Sequence, residues 1–541
     1  MTNQEEQNRL GVVVSGSLTR GVEVRLDGSV SVENMAVGRY VAIEGAQHRF
    51  FGMITDVSLE TVDPNVAVTP PDVSDPFIAQ VINGTTTYGK LEVLPMLTIG
   101  GDAASILEGP QPAKTVPVHF SVVKVASQRD VEVVFGAEDE KRFYVGTPLD
   151  METKVCLDVA EFVKRSNGVF GKSGTGKTFL TRLLLVGLLQ KNAAVSLVFD
   201  MHSEYGWEGK TEKGFKVKGL KQLFPSKVAI FTLDEESSKR RRVNTDVVVR
   251  IGYNEIEPED VELLRQTLNL TEASVQTVYQ LAREFGDSKW LETVLNLNED
   301  EGKQLISRLN IHDSTYRNLR RGLENLRRFS FLVTHTRENS VQRILDYLDR
   351  GINVILEFGR FDDFAAYILV ANLLSRRIYA KYRENAEREM GGEVAPARPL
   401  VITIEEAHRF LNPELSSHTI FGRIAREMRK YNVTLLIIDQ RPSGIDAEVM
   451  SQLGTKITCL LDDERDLDSV LTGTSGKSEL KSVLSKLETK QQALIFGHAV
   501  PMPVVIKTRE YGSPESYKEL GFLEAAELKK KTQQDMDDLF A

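Results

Sequence analysis

One stretch constrains this chain more than any other: Gly171-Lys172-Ser173-Gly174-Thr175-Gly176-Lys177-Thr178. It has the spacing of a phosphate-binding loop, G-x-x-x-x-G-K-[ST], with every fixed position filled. The β-like run Asn167–Phe170 precedes it and the helical pattern Phe179–Gln190 follows, which is the context this loop requires. Glycines let the backbone curl around phosphate oxygens, and the free N–H groups of a helix N-terminus point at them. Lys177 is expected to reach the β- and γ-phosphates of ATP, and Thr178 to ligate Mg²⁺. The nucleotide-binding set is therefore Gly171 through Thr178 together with Phe179.

Such a loop speaks for a nucleotide, not for its hydrolysis. The missing part is supplied by Leu400–His408, an apolar run that ends in Glu405-Glu406-Ala407-His408. Side chains alternate along a strand, so two adjacent acids at its end cannot both enter a core. Glu405 can hold Mg²⁺ through water, and Glu406 can polarise an attacking water. The next run, Val433–Asp439, ends in Gln440-Arg441-Pro442-Ser443, where an amide could sense the γ-phosphate or simply cap the strand. Upstream, Arg423, Arg426 and Lys430 share one side of a helix, with Arg429 close to Arg426. They are either solvated or available to a neighbouring site. Asp200-Met201-His202-Ser203-Glu204-Tyr205 follows another buried run, at the carboxyl edge where open sheets place their sites. Asp200 is expected beside Mg²⁺; with no third ligand evident, a metal site built on Asp-x-His-x-Glu alone is less well supported.

The runs at 167–170, 193–199, 228–231, 354–358, 400–404, 434–438 and 457–461 alternate with helical patterns, as in a parallel α/β sheet. Residues 151–254 and 351–512 form this core. Between them, at 255–350, helical periodicity takes over and reads as an insertion. It is polarised, with 12 acidic and 3 basic residues over 255–301 but 9 basic and 3 acidic over 303–343. Residues 1–150 differ again. Short β-rich runs at 11–16, 22–26, 40–44, 50–57, 77–82, 91–97 and 116–125, punctuated by turn residues, predict a small β-barrel. Residues 513–541 are helix-prone and read as a C-terminal arm.

Net charge is -10 over 541 residues, which on its face argues against nucleic acid. The excess is not evenly spread: residues 1–150 hold 20 acidic and 11 basic side chains, and the remainder is nearly balanced. The acidity thus reads as a property of a docking or assembly face on the barrel. Two basic stretches lie in the core and insertion: 210–242, ending in Lys239-Arg240-Arg241-Arg242, and 303–343, with Arg317, Arg320, Arg321, Arg327 and Arg328. Either could grip phosphates, and either could pair with the acidic 255–301 stretch. Aromatics suited to stacking unpaired bases are sparse among them, which favours duplex DNA. Only two cysteines occur, Cys156 and Cys459, too few for a disulfide framework or zinc cluster, so a reducing cytoplasm is expected. The polar, acidic first residues are not those of a secretory signal, and no run approaches a membrane span.

Taken in this order, the pieces resemble the HerA family of hexameric DNA translocases, within the wider HerA–FtsK group of P-loop ATPases. The resemblance covers nearly the whole chain. The family implies a RecA-like core, a barrel shared in shape with rotary ATP synthase subunits that stabilises a homo-hexamer, and an arm that braces the adjacent subunit. It implies that Glu405 assists the metal, Glu406 activates water and Gln440 senses the γ-phosphate. Arg429 would be the finger that reaches a neighbour's site, with Arg426 next in line, and Arg165 matches another arginine near the phosphates. Expected partners are double-stranded DNA and a NurA-like nuclease in end processing. Alternatively, the ring would assemble with an anti-phage effector, a nuclease or a sirtuin-like enzyme. One departure is visible: members often carry a glycine just before the strand that here begins near Gln491-Gln492.

Overall fold

The computed structural model describes residues 8–82, 85–210, 216–336, 339–361, 363–427, 430–488 and 491–522. The chain divides into two compact units. One comprises residues 1–162, 167–180 and 439–509, the other 163–166, 181–438 and 510–541.

The first unit opens with strands β1 (Arg9–Ser17), β2 (Gly21–Leu26), β3 (Tyr40–Glu44), β4 (His48–Thr61), β5 (Thr87–Gly100), β6 (Gln111–Pro112) and β7 (Val122–Val125). They pair in the order β2-β1-β7-β3-β4-β5, and β2 also pairs with β5, so six strands close into a barrel with β6 appended to β5. Closure leaves no exposed sheet edge among those six. Alternation places Val22, Val24 and Leu26 of β2 inside and Glu23 and Arg25 outside. Val13, Ile43, Ile54, Leu91, Val93 and Val123 meet them from the other strands in one apolar cluster. One expected strand is absent and another is shortened. Pro76–Ile82 is a helix, because Asp75 accepts the Phe77 N–H and Pro76 sits in the first turn, where its missing N–H costs nothing. Residues 116–121 are not strand: a turn at 119–120 gives Phe120 a φ of 64° and its N–H donates to the Val13 carbonyl, so β7 starts only at Val122.

Beyond the barrel come β8 (Arg142–Thr147), β9 (Val155–Asp158) and β10 (Asn167–Phe170). The helix Lys177–Lys191 then leads to β11 (Val195–Asp200), β12 (Gly209–Lys210), β13 (Lys216–Val217), β14 (Val228–Thr232), β15 (Val247–Val248), β16 (Ile251–Gly252), β17 (Leu332–Val333), β18 (Asn353–Glu357), β19 (Leu400–Glu405) and β20 (Val433–Asp439). Last are β21 (Thr455–Thr458), β22 (Gln492–Gly497) and β23 (Val504–Thr508). Within the first unit the order is β10-β21-β22-β23-β8-β9. The β10–β21 pair is parallel and the remaining pairs are antiparallel. Within the second unit the order is β15-β14-β18-β11-β19-β20, with every pair parallel. All residues of β11, β14, β18, β19 and β20 are buried, which explains why these strands read as unbroken apolar runs. Gln491 has φ 63°, so the position before β22 keeps the backbone that a glycine would take.

Six helices, Pro258–Leu263, Glu272–Phe285, Trp290–Asn296, Glu299–Leu309, Asp313–Glu324 and Ser340–Asp349, occupy the expected insertion. Its centre is Trp290, fully buried, with its indole N–H on the Ile256 carbonyl at 3.1 Å. The 27-residue helix Phe364–Met390 follows β18. From it Arg376 pairs with Glu257 and Asp260, and Arg377 with Glu255, tying the insertion to the same unit. In the C-terminal segment, Ser513 caps the helix Pro514–Glu519. Tyr517 accepts the Lys218 N–H, and Leu520 accepts from the Gln190 amide. The rest of the expected arm, from residue 523, lies outside the described residues. Among the described residues no helix is long and apolar enough to cross a membrane.

Candidate ATPase residues in the two units

In the first unit β10 runs straight into the phosphate-binding loop. Gly171, Gly174 and Gly176 take φ of 151°, 79° and 97°, angles that side chains with a Cβ resist. Gly171 is also a close approach: a Cβ there would lie 2.8 Å from Cβ of Cys459 and from the Thr175 hydroxyl. Around Gly176 a Cβ would meet nothing within 4 Å, so there the demand for glycine is conformational. The loop is cross-braced by its own polar groups. Thr175 Oγ1 and Lys177 Nζ both donate to the Lys172 carbonyl at 2.8 Å, Lys172 N–H donates to Leu460, and Lys172 Nζ pairs with Asp462 at 2.6 Å. Ser173 and Gly174 are exposed at the tip, while Thr178 and Phe179 are half-buried in the first turn of the helix. Glycines fold the chain, Thr175 fixes the curl, and Lys177 presents its charge inward. The arrangement fits a polyphosphate.

In the second unit three acids end neighbouring strands at one level. Glu357 of β18 is in register with Asp200 of β11, and the β11–β19 register, Val198 opposite Thr403, brings Glu405 level with Asp200. Asp200 and Glu357 are fully buried and Glu405 is 8 % exposed. Burial, then the charge of Asp200, pushes the Glu405 carboxyl up to about 8. Burial, then Glu357, pushes Asp200 up to about 7. Glu357 is also raised by burial, against the pull of the Arg241 guanidinium paired with it. Each acid has a different set of partners. Asp200 accepts the backbone N–H groups of Glu204 (2.7 Å), Tyr205 (2.8 Å) and Gly206 (3.4 Å), and so shapes the following turn. Glu405 Oε1 accepts from the Tyr205 hydroxyl at 2.8 Å, whereas Glu405 Oε2 is buried with no hydrogen-bond partner. An orphaned carboxylate oxygen of this kind suits a hard dication or the water bound to it. Asp200, by contrast, has both oxygens engaged.

Glu406 follows at φ 48°, a left-handed conformation that begins the short helix Ala407–Arg409, and its carboxylate lies 3.7 Å from His408. The turn takes Glu406 out of the plane of the strand, so the paired acids do face different surroundings. Gln440, half-buried, directly follows β20, and the preceding Asp439 accepts the Arg441 N–H at 2.6 Å. Arg165 is half-buried just before β10. Arg426 is exposed on the helix Ile420–Glu427 and reaches the Ser416 hydroxyl at 3.5 Å. Arg429 lies outside the described residues. His202 is exposed, and among the described residues no three His, Cys, Asp or Glu side chains form a metal cage. Two features escaped the sequence reading. Glu357 carries the same signal as Glu405, an acid ending a buried strand. Tyr367, which accepts the Glu405 N–H at 3.1 Å, sits in an apolar helix and gives no local signal.

Residues 143–378 match the family described as "Helicase HerA, central domain", and residues 10–102 match the "HAS barrel domain". Over 506 residues the chain is 24% identical to the DNA double-strand break repair helicase HerA of Sulfurisphaera tokodaii, covering 93% of each chain. With the protein of the same description from Sulfolobus acidocaldarius it shares 27% identity over 402 residues, covering 73% of this chain and 74% of that one. Among solved structures, VirB4 of Thermoanaerobacter pseudethanolicus is 14% identical with a TM-score of 0.46, covering 71% of this chain and 100% of that one. The matches of its barrel region and of its phosphate-binding core to these two families, with relatives aligned over most of its length, place the chain in the HerA family of P-loop ATP hydrolases.

Proposed function

We propose that this chain is the subunit of an ATP-driven ring, a homo-hexamer as in the family resemblance, that translocates on double-stranded DNA and serves end processing with a nuclease partner. The observation that carries the reading is the phosphate-binding loop in one unit together with Glu405 and Glu406 at a strand end in the other. Lys177 and the loop N–H groups hold the β- and γ-phosphates of ATP. Thr178 and Glu405 are the donors for Mg²⁺, which supplies charge neutralisation on the phosphates when bound. Asp200 fixes the turn that packs on Glu405 and stands beside the metal. Glu406 takes a proton from the water that attacks the γ-phosphorus, and ADP and phosphate leave. Gln440 reports on the γ-phosphate. Arg429, or Arg426, serves a neighbouring subunit's site, and Arg165 the phosphates. Relatives named as DNA double-strand break repair helicases support DNA as the track.

A second reading, a ring that organises and regulates an anti-phage effector, draws on one observation. Several basic side chains suited to DNA are committed within the chain: Arg241 to Glu357, and Arg320 and Arg327 to the carbonyls of Leu297 and Leu295. Steady-state ATP turnover separates the two readings. The motor reading expects Mg²⁺-dependent turnover that rises with duplex DNA at low salt and vanishes in Lys177→Ala and Glu406→Gln. Turnover indifferent to DNA removes the motor and leaves the regulated ring.

A further inference from the structure

We infer that Tyr205 is a positioning residue for ATP hydrolysis: its hydroxyl locks one oxygen of Glu405, so that the other is held in a single direction toward Mg²⁺. The inference rests on Glu405 being a metal donor, as read above. Tyr205 is fully buried, and its hydroxyl lies 2.8 Å from Glu405 Oε1. A phenol beside a carboxylate donates, so this contact sets both the rotation and the hydrogen-bonding state of that oxygen.

The tyrosine is itself fixed. Its backbone N–H is on Asp200 Oδ2 at 2.8 Å, and its carbonyl accepts the Leu220 N–H at 2.9 Å. Residues 201–204 make the tight turn that connects them, with Ser203 at φ 56°. The backbone of Glu405 is held separately, by its N–H on the Tyr367 hydroxyl at 3.1 Å. Two tyrosines thus divide the work: Tyr367 holds the main chain and Tyr205 holds the side chain. The second oxygen of Glu405, Oε2, is buried and without a hydrogen bond. Filling space or satisfying a buried hydroxyl would require none of this division, because any acceptor would serve. Outer groups that orient a metal-binding carboxylate typically matter about 10–100-fold for metal affinity or activity.

The test uses the full chain with Tyr205→Phe, Tyr367→Phe, Glu405→Gln and the Tyr205→Phe/Glu405→Gln double variant. Affinity for a fluorescent ATP analogue is measured with and without Mg²⁺, beside the Mg²⁺ dependence of turnover and thermal unfolding. For Tyr205→Phe we expect metal-free nucleotide affinity and unfolding temperature near wild type. Its Mg²⁺-dependent gain in affinity should be lost, and the Mg²⁺ concentration for half-maximal turnover raised about 10-fold or more. Added to Glu405→Gln, the same change should do nothing further. Tyr367→Phe should lower the unfolding temperature and shift the Mg²⁺ requirement less than Tyr205→Phe does. A Tyr205→Phe protein with a wild-type Mg²⁺ response overturns the inference, and so does one that fails to fold or loses metal-free nucleotide binding. If Glu405→Gln itself leaves the Mg²⁺ response intact, it is the reading of Glu405 that falls.

Discussion

Glu406 sits at φ 48°, in a backbone region that costs a residue with a Cβ about 1–2 kcal/mol. Strain of this kind at a strand end is expected where function, not stability, selects the conformation. Glu406→Gly should therefore raise stability to urea unfolding by up to about 1 kcal/mol while abolishing ATP turnover. A Glu406→Gly protein that is less stable would show that the carboxylate holds the turn. Lys456 is buried in β21 with its ammonium on the carbonyls of Val470 and Thr472 at 2.7 and 2.8 Å. Burial pulls it from 10.5 down to about 8. Above pH 8 the folded state releases this proton while the unfolded state keeps it until about 10.5, so this group makes stability rise across that window. Lys456→Met should flatten the rise, read as the difference in urea midpoints between pH 7.5 and 9.5. Glu405 and Glu406 were legible in sequence because an acid pair ended an apolar run. The Tyr205–Glu405 contact was not, since it joins residues 200 positions apart through a sheet order that no local pattern states.

At the scale of elements, buried parallel strands were legible because they are unbroken apolar runs, and the barrel because its strands alternate. Pro76–Ile82 misled for a physical reason: Phe-Ile-Ala-Gln-Val-Ile has strand composition, but Asp75 and Pro76 start a helix, which then leaves Phe77 exposed. The basic half of the insertion answers the acidic half in part, with Arg308 on Glu284 and Lys303 near Asp300. Arg320, which also pairs with Glu324, and Arg327 donate to carbonyls at the C-terminal end of the helix Trp290–Asn296, at 2.7 and 2.8 Å, where the helix dipole favours a cation. Arg327→Ala should lower stability by about 1–2 kcal/mol in thermal or urea unfolding and leave duplex affinity unchanged below the transition. Reduced affinity without loss of stability would assign Arg327 to the DNA instead. Gly422 is a close approach of a different kind: a Cβ there would lie 1.7 Å from the Ser416 carbonyl oxygen. Gly422→Ala should accordingly displace the helix Ile420–Glu427 that carries Arg426.

For the molecule as a whole, a net charge of -10 conceals an acidic N-terminal region and a nearly balanced remainder. Within that remainder most basic side chains of the two stretches have protein partners: Lys239 with Glu235, Arg240 with Glu236, Arg241 with Glu357, Arg317 with Asp313 and Arg328 with Asp363. Arg242 and Arg321 are exposed and are the better candidates for phosphate contact. Arg242→Glu and Arg321→Glu should weaken duplex binding and flatten its dependence on salt concentration. Unchanged salt slopes would remove both from the track. Release of a third strand from a DNA triplex measures directly the ATP-driven motion along DNA proposed for this chain. With ATP and Mg²⁺ the wild-type chain should displace the third strand, and Lys177→Ala and Glu406→Gln should leave it bound. Brisk ATP turnover on duplex DNA with no displacement of the third strand would contradict ATP-driven motion along DNA.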